Sequence, residues 1–296
     1  MAFSAVAAYG GCVPQSYTAA GRLLRWYGRT ERPLPWRRST DPYAILVSEM
    51  MAQQTQIARV LPAYLRFMAR FPTLAVLARA SLAEVLREWA GLGYNRRARD
   101  LHRIARTHPT GLPRTVEALD ALPGVGAYTA GAVACFAYGE AVAFADTNIR
   151  RVLGRVFLGR IATEREATEL DGKHLPKRAA ARWHQALMDL GATICTARAP
   201  KCDACPLNSS CAATRTISGP GRPSAPTTAA TRGKAYATSD RRVRGAIISV
   251  LIGTPAGLTS AALERRIGDS RVSVLIDALV SEGLVERHVR RVRLPA

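Results

Sequence analysis

Residues 122–133 read Leu122-Pro123-Gly124-Val125-Gly126-Ala127-Tyr128-Thr129-Ala130-Gly131-Ala132-Val133, and the fold turns on how this stretch is read. Its glycine turn leads straight into a helix predicted to begin at Ala127. Leu119 and Leu122 before the turn and Val133 after it can pack two helices into a hairpin. Glycine lets a backbone come close to a ligand, and the free N–H groups and dipole at a helix start attract phosphate. An ordinary helix–helix turn is the competing interpretation.

Outward from the turn the pattern stays helical. Asp41-Pro42 supplies an N-cap and a proline at the first position of a helix through Met51. Tyr64, Leu65, Phe67, Met68 and Phe71 follow at helical spacing until Pro72 ends that helix. Ser81-Leu82-Ala83-Glu84 fits a capping box for the next helix, which closes at Gly91 and Gly93. Further patterns cover Arg96–Arg106, Ala127–Tyr138, Asn148–Leu158 and Lys177–Leu190. No stretch alternates strongly enough to demand a large sheet, so the fold class is mainly α.

A chain of 296 residues with 48% hydrophobic and 22% charged residues has ordinary globular composition, which excludes wholesale disorder. It has no run of eighteen apolar residues, and its apolar opening MAFSAVAAYGGCVP lacks a basic start. Neither a spanning helix nor a signal peptide is expected. Charge is the departure: 42 Lys and Arg stand against 22 Asp and Glu, a net +20. Such a surface favours a polyanion, with counterion release supplying much of the affinity. In that setting, sequence-independent contact with the DNA backbone is the better account of Leu122, Gly124 and Gly126.

Composition changes after Cys211. Ser218–Thr231 (SGPGRPSAPTTAAT) has no apolar periodicity and reads as a linker. Beyond it come helical candidates Arg241–Ile252, Ser260–Ile267 and Ser270–Ser281, then short runs Leu284–Glu286 and Val289–Arg293. This order resembles a winged helix. The segment after Cys211 holds 14 Lys and Arg against 6 Asp and Glu, so both parts of the chain are basic. The tail is read either as a DNA contact or as a module that docks a protein partner.

Four of the six cysteines fall in one segment, Cys195-x6-Cys202-x2-Cys205-x5-Cys211. Without an export signal, cysteines so close are more often metal ligands than disulfides. Only one CxxC is present, whereas zinc sites usually pair two. A single loop of four staggered thiolates suits a [4Fe–4S] cluster, with four-thiolate zinc as the alternative. Arg198 and Lys201, inside the first loop, would be displayed to phosphate. Cys12 and Cys135 lie apart and read as ordinary thiols.

Two carboxylates draw attention. Glu49 sits in the mostly apolar Ile45-Leu46-Val47-Ser48-Glu49-Met50-Met51, where desolvation disfavours the charged form and equips the group as a general acid. A solvent-facing helix position is the plainer alternative. Asp146 lies in Phe144-Ala145-Asp146-Thr147-Asn148, just before a helix, where a cap is the plainer reading. An acid paired with an ionised carboxylate is the arrangement used against glycosidic bonds, where positive charge grows on the sugar.

SEMMAQQTQ around Glu49, LPGVGAYTAGAV, FADTNIRRV and the four-cysteine segment stand in the order and spacing of helix-hairpin-helix DNA glycosylases. With LPWR at 34–37 and GLGY at 91–94, the chain resembles adenine DNA glycosylases of the MutY type, over about Ser16 to Cys211. The cysteine spacing is similar to that of the wider endonuclease III superfamily, and Gln53-Gln54-Thr55 with Tyr128 to that of the adenine branch. The resemblance implies a two-lobed helical domain over 16–211, with an iron–sulfur loop at 195–211 and the catalytic cleft between the lobes. Around it lie an N-terminal extension (1–15), a linker (212–239) and a small winged-helix-like domain (240–296).

By position, the resemblance makes Glu49 the acid that protonates N7 of a flipped adenine, and Asp146 the carboxylate facing the oxocarbenium-like sugar. Tyr128 occupies the place where bifunctional relatives carry a nucleophilic lysine. Having no amine to form a Schiff base, it implies base removal without efficient strand cleavage. Trp36 and Arg37 match the adenine-pocket wall, and Gln185 matches the residue that reads the adenine edge. Gln53 belongs to the same run as Gln54, which with Tyr94 resembles residues wedged beside the opposite purine, contacted by Thr55.

The implied partner is double-stranded DNA containing mismatched adenine, acted on in the cytoplasm at the nucleoid by a monomer. Ala52, Asn95 and Thr147 depart from the usual leucine, tyrosine and glycine. The tail is too short for the Nudix-like domain with which relatives inspect 8-oxoguanine. Two rival functions remain: a thymine or uracil mismatch glycosylase, and a non-catalytic iron–sulfur regulator that binds DNA.

Overall fold

The structure is a computed structural model describing residues 18–214 and 236–296. The expected N-terminal extension (1–15), Cys12 and Ser218–Thr231 lie outside the described residues, as does most of the expected linker 212–239. In chain order the helices are α1 (Ala19–Thr30), α2 (Pro42–Ala52), α3 (Ile57–Arg70), α4 (Leu74–Arg79), α5 (Leu82–Glu88), α6 (Arg96–Thr107) and α7 (Val116–Asp120). There follow α8 (Ala127–Tyr138), α9 (Thr147–Leu153), α10 (Glu164–His174), α11 (Ala180–Thr193), α12 (Asp240–Ile252), α13 (Ser260–Ile267) and α14 (Val272–Ser281). Strands β1 (Glu286–His288) and β2 (Arg291–Arg293) close the chain. Among the described residues, no helix is long and apolar enough to cross a membrane. Two compact units form, each from two separated stretches of chain.

One unit holds described residues 34–139 and 236–296. Its central helix is α2, whose residues Tyr43 to Met51 are all buried. The predicted start is present: Asp41 accepts a hydrogen bond from the Tyr43 N–H at 3.0 Å, with Pro42 at the first position. Helix α2 packs on α3 and α8. The small residues Ala130, Gly131, Ala132 and Ala134, all buried, let α8 approach its neighbours closely. Ser81 and Glu84 cap α5 reciprocally, at 3.2 and 2.9 Å, as their spacing predicts.

The hairpin at the opening motif is α7, the glycine turn and α8. Leu119, Leu122 and Val125 are buried beneath it. Gly124 adopts φ +71°, and a Cβ there would stand 3.0 Å from Asp100 Oδ2, so both backbone and space call for glycine. Gly126 caps α8 with extended backbone and open space around it.

The C-terminal part of this unit follows the expected order of three helices and a hairpin. β1 and β2 pair antiparallel from Glu286↔Arg293 to His288↔Arg291, and Leu258 bridges Val292. Val243, Ile247, Leu263, Ile276 and Leu279 form its core. Polar contacts fasten it to the first stretch. Arg96 donates twice to the Glu282 carboxylate, at 2.8 and 2.6 Å, Arg244 pairs with the same carboxylate, and Arg99 donates to the Glu282 carbonyl. The Ala83 N–H donates to the Pro295 carbonyl at 3.1 Å.

The other unit holds described residues 18–33 and 140–214. Helix α11 packs on α1 and α9, and α10 packs on α9. Leu23, Tyr27, Ile149, Val152, Trp183, Leu187 and Leu190 supply its core. Asp171 is fully buried and accepts from Trp183 Nε1 at 2.7 Å and the Phe144 N–H at 3.2 Å; His184 Nε2 stands 2.7 Å away.

The continuous helix expected over Asn148–Leu158 is corrected here. Helix α9 ends at Leu153, and Gly154–Leu158 continues in wider π-helical turns. A Cβ at Gly154 would lie 2.3 Å from the Ala162 nitrogen, so the returning backbone presses on this turn. The expected Lys177–Leu190 helix opens with a 3-10 turn, Lys177–Ala179, and α11 then runs to Thr193.

Candidate active site and cysteine loop

In the unit of 34–139, Glu49 lies in the last turns of α2 with only 9% of its surface exposed, which removes the solvent-facing alternative. The Tyr128 hydroxyl, in the first turn of α8, donates to Glu49 Oε2 at 3.0 Å. The neighbouring residues on both helices also meet: Gln53 Nε2 donates to Thr129 Oγ1 at 3.3 Å. A buried carboxyl group with a phenol against it is placed to hold or deliver a proton in a site largely closed to water.

Beyond α2 the chain turns sharply. Gln54 is exposed at φ +54° and Tyr94 is half-buried at φ +48°, both in the left-handed region that non-glycine residues seldom occupy. Gln53, Gln54, Thr55 and Tyr94 line one cavity. Arg97 builds its floor. The guanidinium donates to the carbonyls of Met50, Met51 and Gln53 at 2.6, 3.0 and 2.6 Å, and to Thr55 Oγ1 at 3.2 Å. Orphan carbonyls at a helix end need such donors, and a cation there complements the dipole. Burial pushes Arg97 down to about 10, which leaves it charged at neutral pH.

Trp36 and Arg37 sit on a 3-10 turn, Pro35–Arg38, both half-buried. The Trp36 ring meets Tyr64 edge-on, with centroids 4.9 Å apart. Burial pushes the Tyr64 phenol up to about 12. The Leu122 side chain is buried, and its carbonyl accepts from the Val125 N–H at 3.1 Å. Gly124 and Gly126 are the exposed residues.

In the other unit, Asp146 is the N-cap of α9. Its Oδ1 accepts from the N–H groups of Asn148 and Ile149 at 2.8 and 2.7 Å, and its Oδ2 accepts from Asn148 Nδ2 at 2.7 Å. The capping role is therefore real, and it fixes the carboxylate's orientation. Gln185 on α11 accepts from the Tyr27 hydroxyl at 2.8 Å through Oε1. That bond orients the amide.

Cys195, Cys202, Cys205 and Cys211 line one cavity, together with Val152, Val156, Leu190 and Ile194. Among the described residues, no three His, Cys, Asp or Glu side chains converge to hold a single ion. Four cysteine thiols around one cavity are a donor set that fits an iron–sulfur cluster. Burial pushes the Cys205 thiol up to about 11, and the other three sulfurs add to the shift. Thiolates gathered this way repel until metal cations neutralise them.

Two arginines missed in the sequence pin this loop. Arg151 donates to the Cys195 carbonyl at 2.6 Å and to the Gly191 carbonyl at 2.7 Å. Arg155 donates to Cys195 Sγ at 3.3 Å, the Thr196 carbonyl at 2.8 Å and the Ala197 carbonyl at 3.1 Å. Their i, i+4 spacing amid Val152, Leu153 and Val156 was the available signal. At the far end, the N–H groups of Ala212 and Ala213 donate to the carbonyls of Val156 and Arg155, each at 3.0 Å. Arg198 and Lys201 are exposed on the loop.

Residues 47–177 match the HhH-GPD superfamily of base excision DNA repair proteins, and 195–211 match the iron–sulfur binding domain of endonuclease III. The chain is 43% identical over 279 residues to an adenine DNA glycosylase of Mycobacterium tuberculosis, covering 90% of both chains. It is 44% identical over 217 residues to the human adenine DNA glycosylase, covering 67% of this chain and 39% of that one. Among solved structures it is similar to a thermostable thymine-DNA glycosylase, with TM-score 0.59 and 29% identity, over 67% of this chain and 95% of that chain. Endonuclease III in a DNA complex shares the fold at TM-score 0.59 and 23% identity, over 67% of this chain and 94% of that chain.

Proposed function

This chain belongs to the adenine DNA glycosylase family, and from that membership we propose how its residues divide the reaction and which mismatch it serves. It is a DNA N-glycosylase of base excision repair that carries a [4Fe–4S] cluster and has DNA as its partner. The proposed substrate is duplex DNA with adenine opposite guanine or 8-oxoguanine, met at the nucleoid in the cytoplasm. The proposed outcome is an abasic site without strand cleavage.

Glu49, as the acid, gives its proton to N7 of the everted adenine. The C1′–N9 bond then breaks, its electron pair leaving with the base and the sugar left as an oxocarbenium-like cation. The Asp146 carboxylate faces that cation, and water adds to C1′ as its proton passes to Glu49. The observation that carries this reading is the Tyr128 hydroxyl 3.0 Å from the buried Glu49 carboxyl group. Tyr128 steadies the acid and offers no amine for a Schiff base.

Trp36, Arg37 and Gln185 are assigned to the adenine pocket. An amide both donates and accepts, which suits an adenine edge, and the Tyr27 bond supports a fixed orientation for Gln185. Gln53, Gln54, Thr55 and Tyr94 are assigned to the step vacated by the base and the purine opposite it. The amides at Gly124 and Gly126 would meet a backbone phosphate. Cys195, Cys202, Cys205 and Cys211 would hold the cluster. Bound there, the group would cross-link the loop that carries the exposed Arg198 and Lys201, residues assigned to phosphate.

The test uses duplexes holding G:A, 8-oxoguanine:A, G:T and G:U, each followed by alkali. Scission of the adenine strand only after alkali is the expected result. Scission at thymine or uracil would replace this reading with the mismatch-pyrimidine alternative. Tight binding without scission would leave a DNA-binding regulator.

A further inference from the structure

The segment 236–296 is built into the face that carries Tyr94. The Arg241 guanidinium, on α12, lies 4.9 Å from the Tyr94 ring centroid and also donates to the Tyr94 hydroxyl. On its own side Arg241 lies 4.9 Å from the Tyr236 centroid. Arg97 lies 5.2 Å from the Tyr94 centroid and 5.5 Å from that of Trp89. The result is an alternating series of ring and cation, Trp89–Arg97–Tyr94–Arg241–Tyr236, running from the first stretch of the unit into the C-terminal one. Arg97 in turn holds the carbonyls at the end of α2, the helix that bears Glu49.

Two further observations make this more than contact. Tyr94 stands in the left-handed region after Gly91 and Gly93, its backbone held by the Arg97 N–H on its carbonyl at 3.0 Å and by Trp89 Nε1 on the Gly93 carbonyl at 3.1 Å, so the chain presents the ring outward to Arg241. The docking of the C-terminal segment is itself built: Glu282, its side chain only 13% exposed, takes Arg96 from the first stretch and Arg244 from α12. The cavity beside Tyr94 is lined from both stretches, by Gln54, Thr55 and Arg97 on one side and Arg241 and Arg244 on the other.

We propose that Arg241 is a positioning residue for Tyr94, and that the small C-terminal segment thereby sets discrimination of the base opposite the excised adenine. This rests on Tyr94 meeting that opposite purine. Arg241 and Arg97 both hold the ring, at 4.9 and 5.2 Å from its centroid, and Arg241 also holds its hydroxyl. The segment therefore serves the glycosylase site directly, and docking an outside protein is the competing role.

The experiment uses the full chain and single-turnover excision of adenine opposite guanine, 8-oxoguanine and cytosine, with equilibrium binding of the same duplexes. Arg241→Ala is expected to lower the guanine-to-cytosine preference about tenfold, the size of a lost cation–π clamp that DNA binding desolvates. The loss should fall mainly on Kd and on the enzyme concentration that gives half the maximal rate, with the saturating single-turnover rate opposite guanine and the melting temperature nearly unchanged. Arg241→Lys, which keeps the charge, should recover most of the preference. Glu282→Ala should reproduce the loss, and the double variant should add little to either single one. A preference unchanged in Arg241→Ala overturns the inference, as does an equal drop opposite all three bases. No adenine excision by the unaltered chain would instead overturn the functional reading beneath it.

Discussion

The Tyr128 hydroxyl and Glu49 Oε2 are 3.0 Å apart although 79 positions separate them in sequence. The contact exists because α2 and α8, both poor in charge, pack against one another and bring the last turns of one to the first turn of the other. Glu49→Gln keeps the shape and removes the acid. Excision should fall by about a thousandfold, within the range for a lost general acid, while mismatch binding stays close to that of the parent. Undiminished turnover would remove Glu49 from the role.

Tyr128 can be tested in two directions. Tyr128→Phe deletes the hydroxyl and should slow excision about tenfold through a less well-held carboxyl group, the cost of one hydrogen bond to an ionisable partner. Tyr128→Lys puts an amine at the same place and should yield a covalent complex with DNA that borohydride traps. Absence of any trapped species would show that an amine there does not reach C1′.

The cluster loop should depend on arginines outside it. Arg151→Ala strips donors from the carbonyls of Cys195 and Gly191, and Arg155→Ala does the same at Thr196 and Ala197. Either change should lower iron and sulfide per chain and weaken the absorbance near roughly 400 nm given by the cluster. Full cluster content in both variants would place the loop's stability in the cysteines alone.

Asp171→Asn tests the buried network beneath Phe144 and α11. The carboxylate serves Trp183, His184 and the Phe144 N–H, and an amide of the same shape must turn a donor toward one of them. A loss of about 3 kcal/mol is expected, as for other broken buried polar pairs, and is read from urea unfolding.

Gly124→Ala addresses the hairpin. The new Cβ meets Asp100 Oδ2 at 3.0 Å on a backbone held at φ +71°. Left-handed strain of about 1–2 kcal/mol should distort the turn and weaken binding to matched and mismatched duplexes alike. A sequence-selective loss would contradict a backbone contact.

Features fixed by neighbours in the chain were legible in the sequence. Asp41-Pro42, the Ser81–Glu84 box and the glycine turn each depend on residues within a few positions, and each forms as expected. The break in α9 was not legible, because Gly154 is compressed by Ala162 across a loop that no periodicity describes. Arg97, Arg151 and Arg155 were hidden for a different reason. The chain has 42 Lys and Arg, and only tertiary packing distinguishes buried arginines such as these three from the others. The reach of Arg241 to Tyr94, 147 positions apart, belongs to the same class.

Both units are assembled from stretches of chain that are distant in order of synthesis. Leu23 and Tyr27 of α1 must wait for α11 to emerge from the ribosome before their apolar surface is covered. The stretch 34–139 gains its last neighbours only when the chain's end is made. Loop closure across such separations slows folding. The nascent protein therefore spends much of its translation with Leu23 and Tyr27 unsheltered, two side chains on a helix whose Arg22, Arg25 and Arg29 keep it compatible with water until α11 arrives.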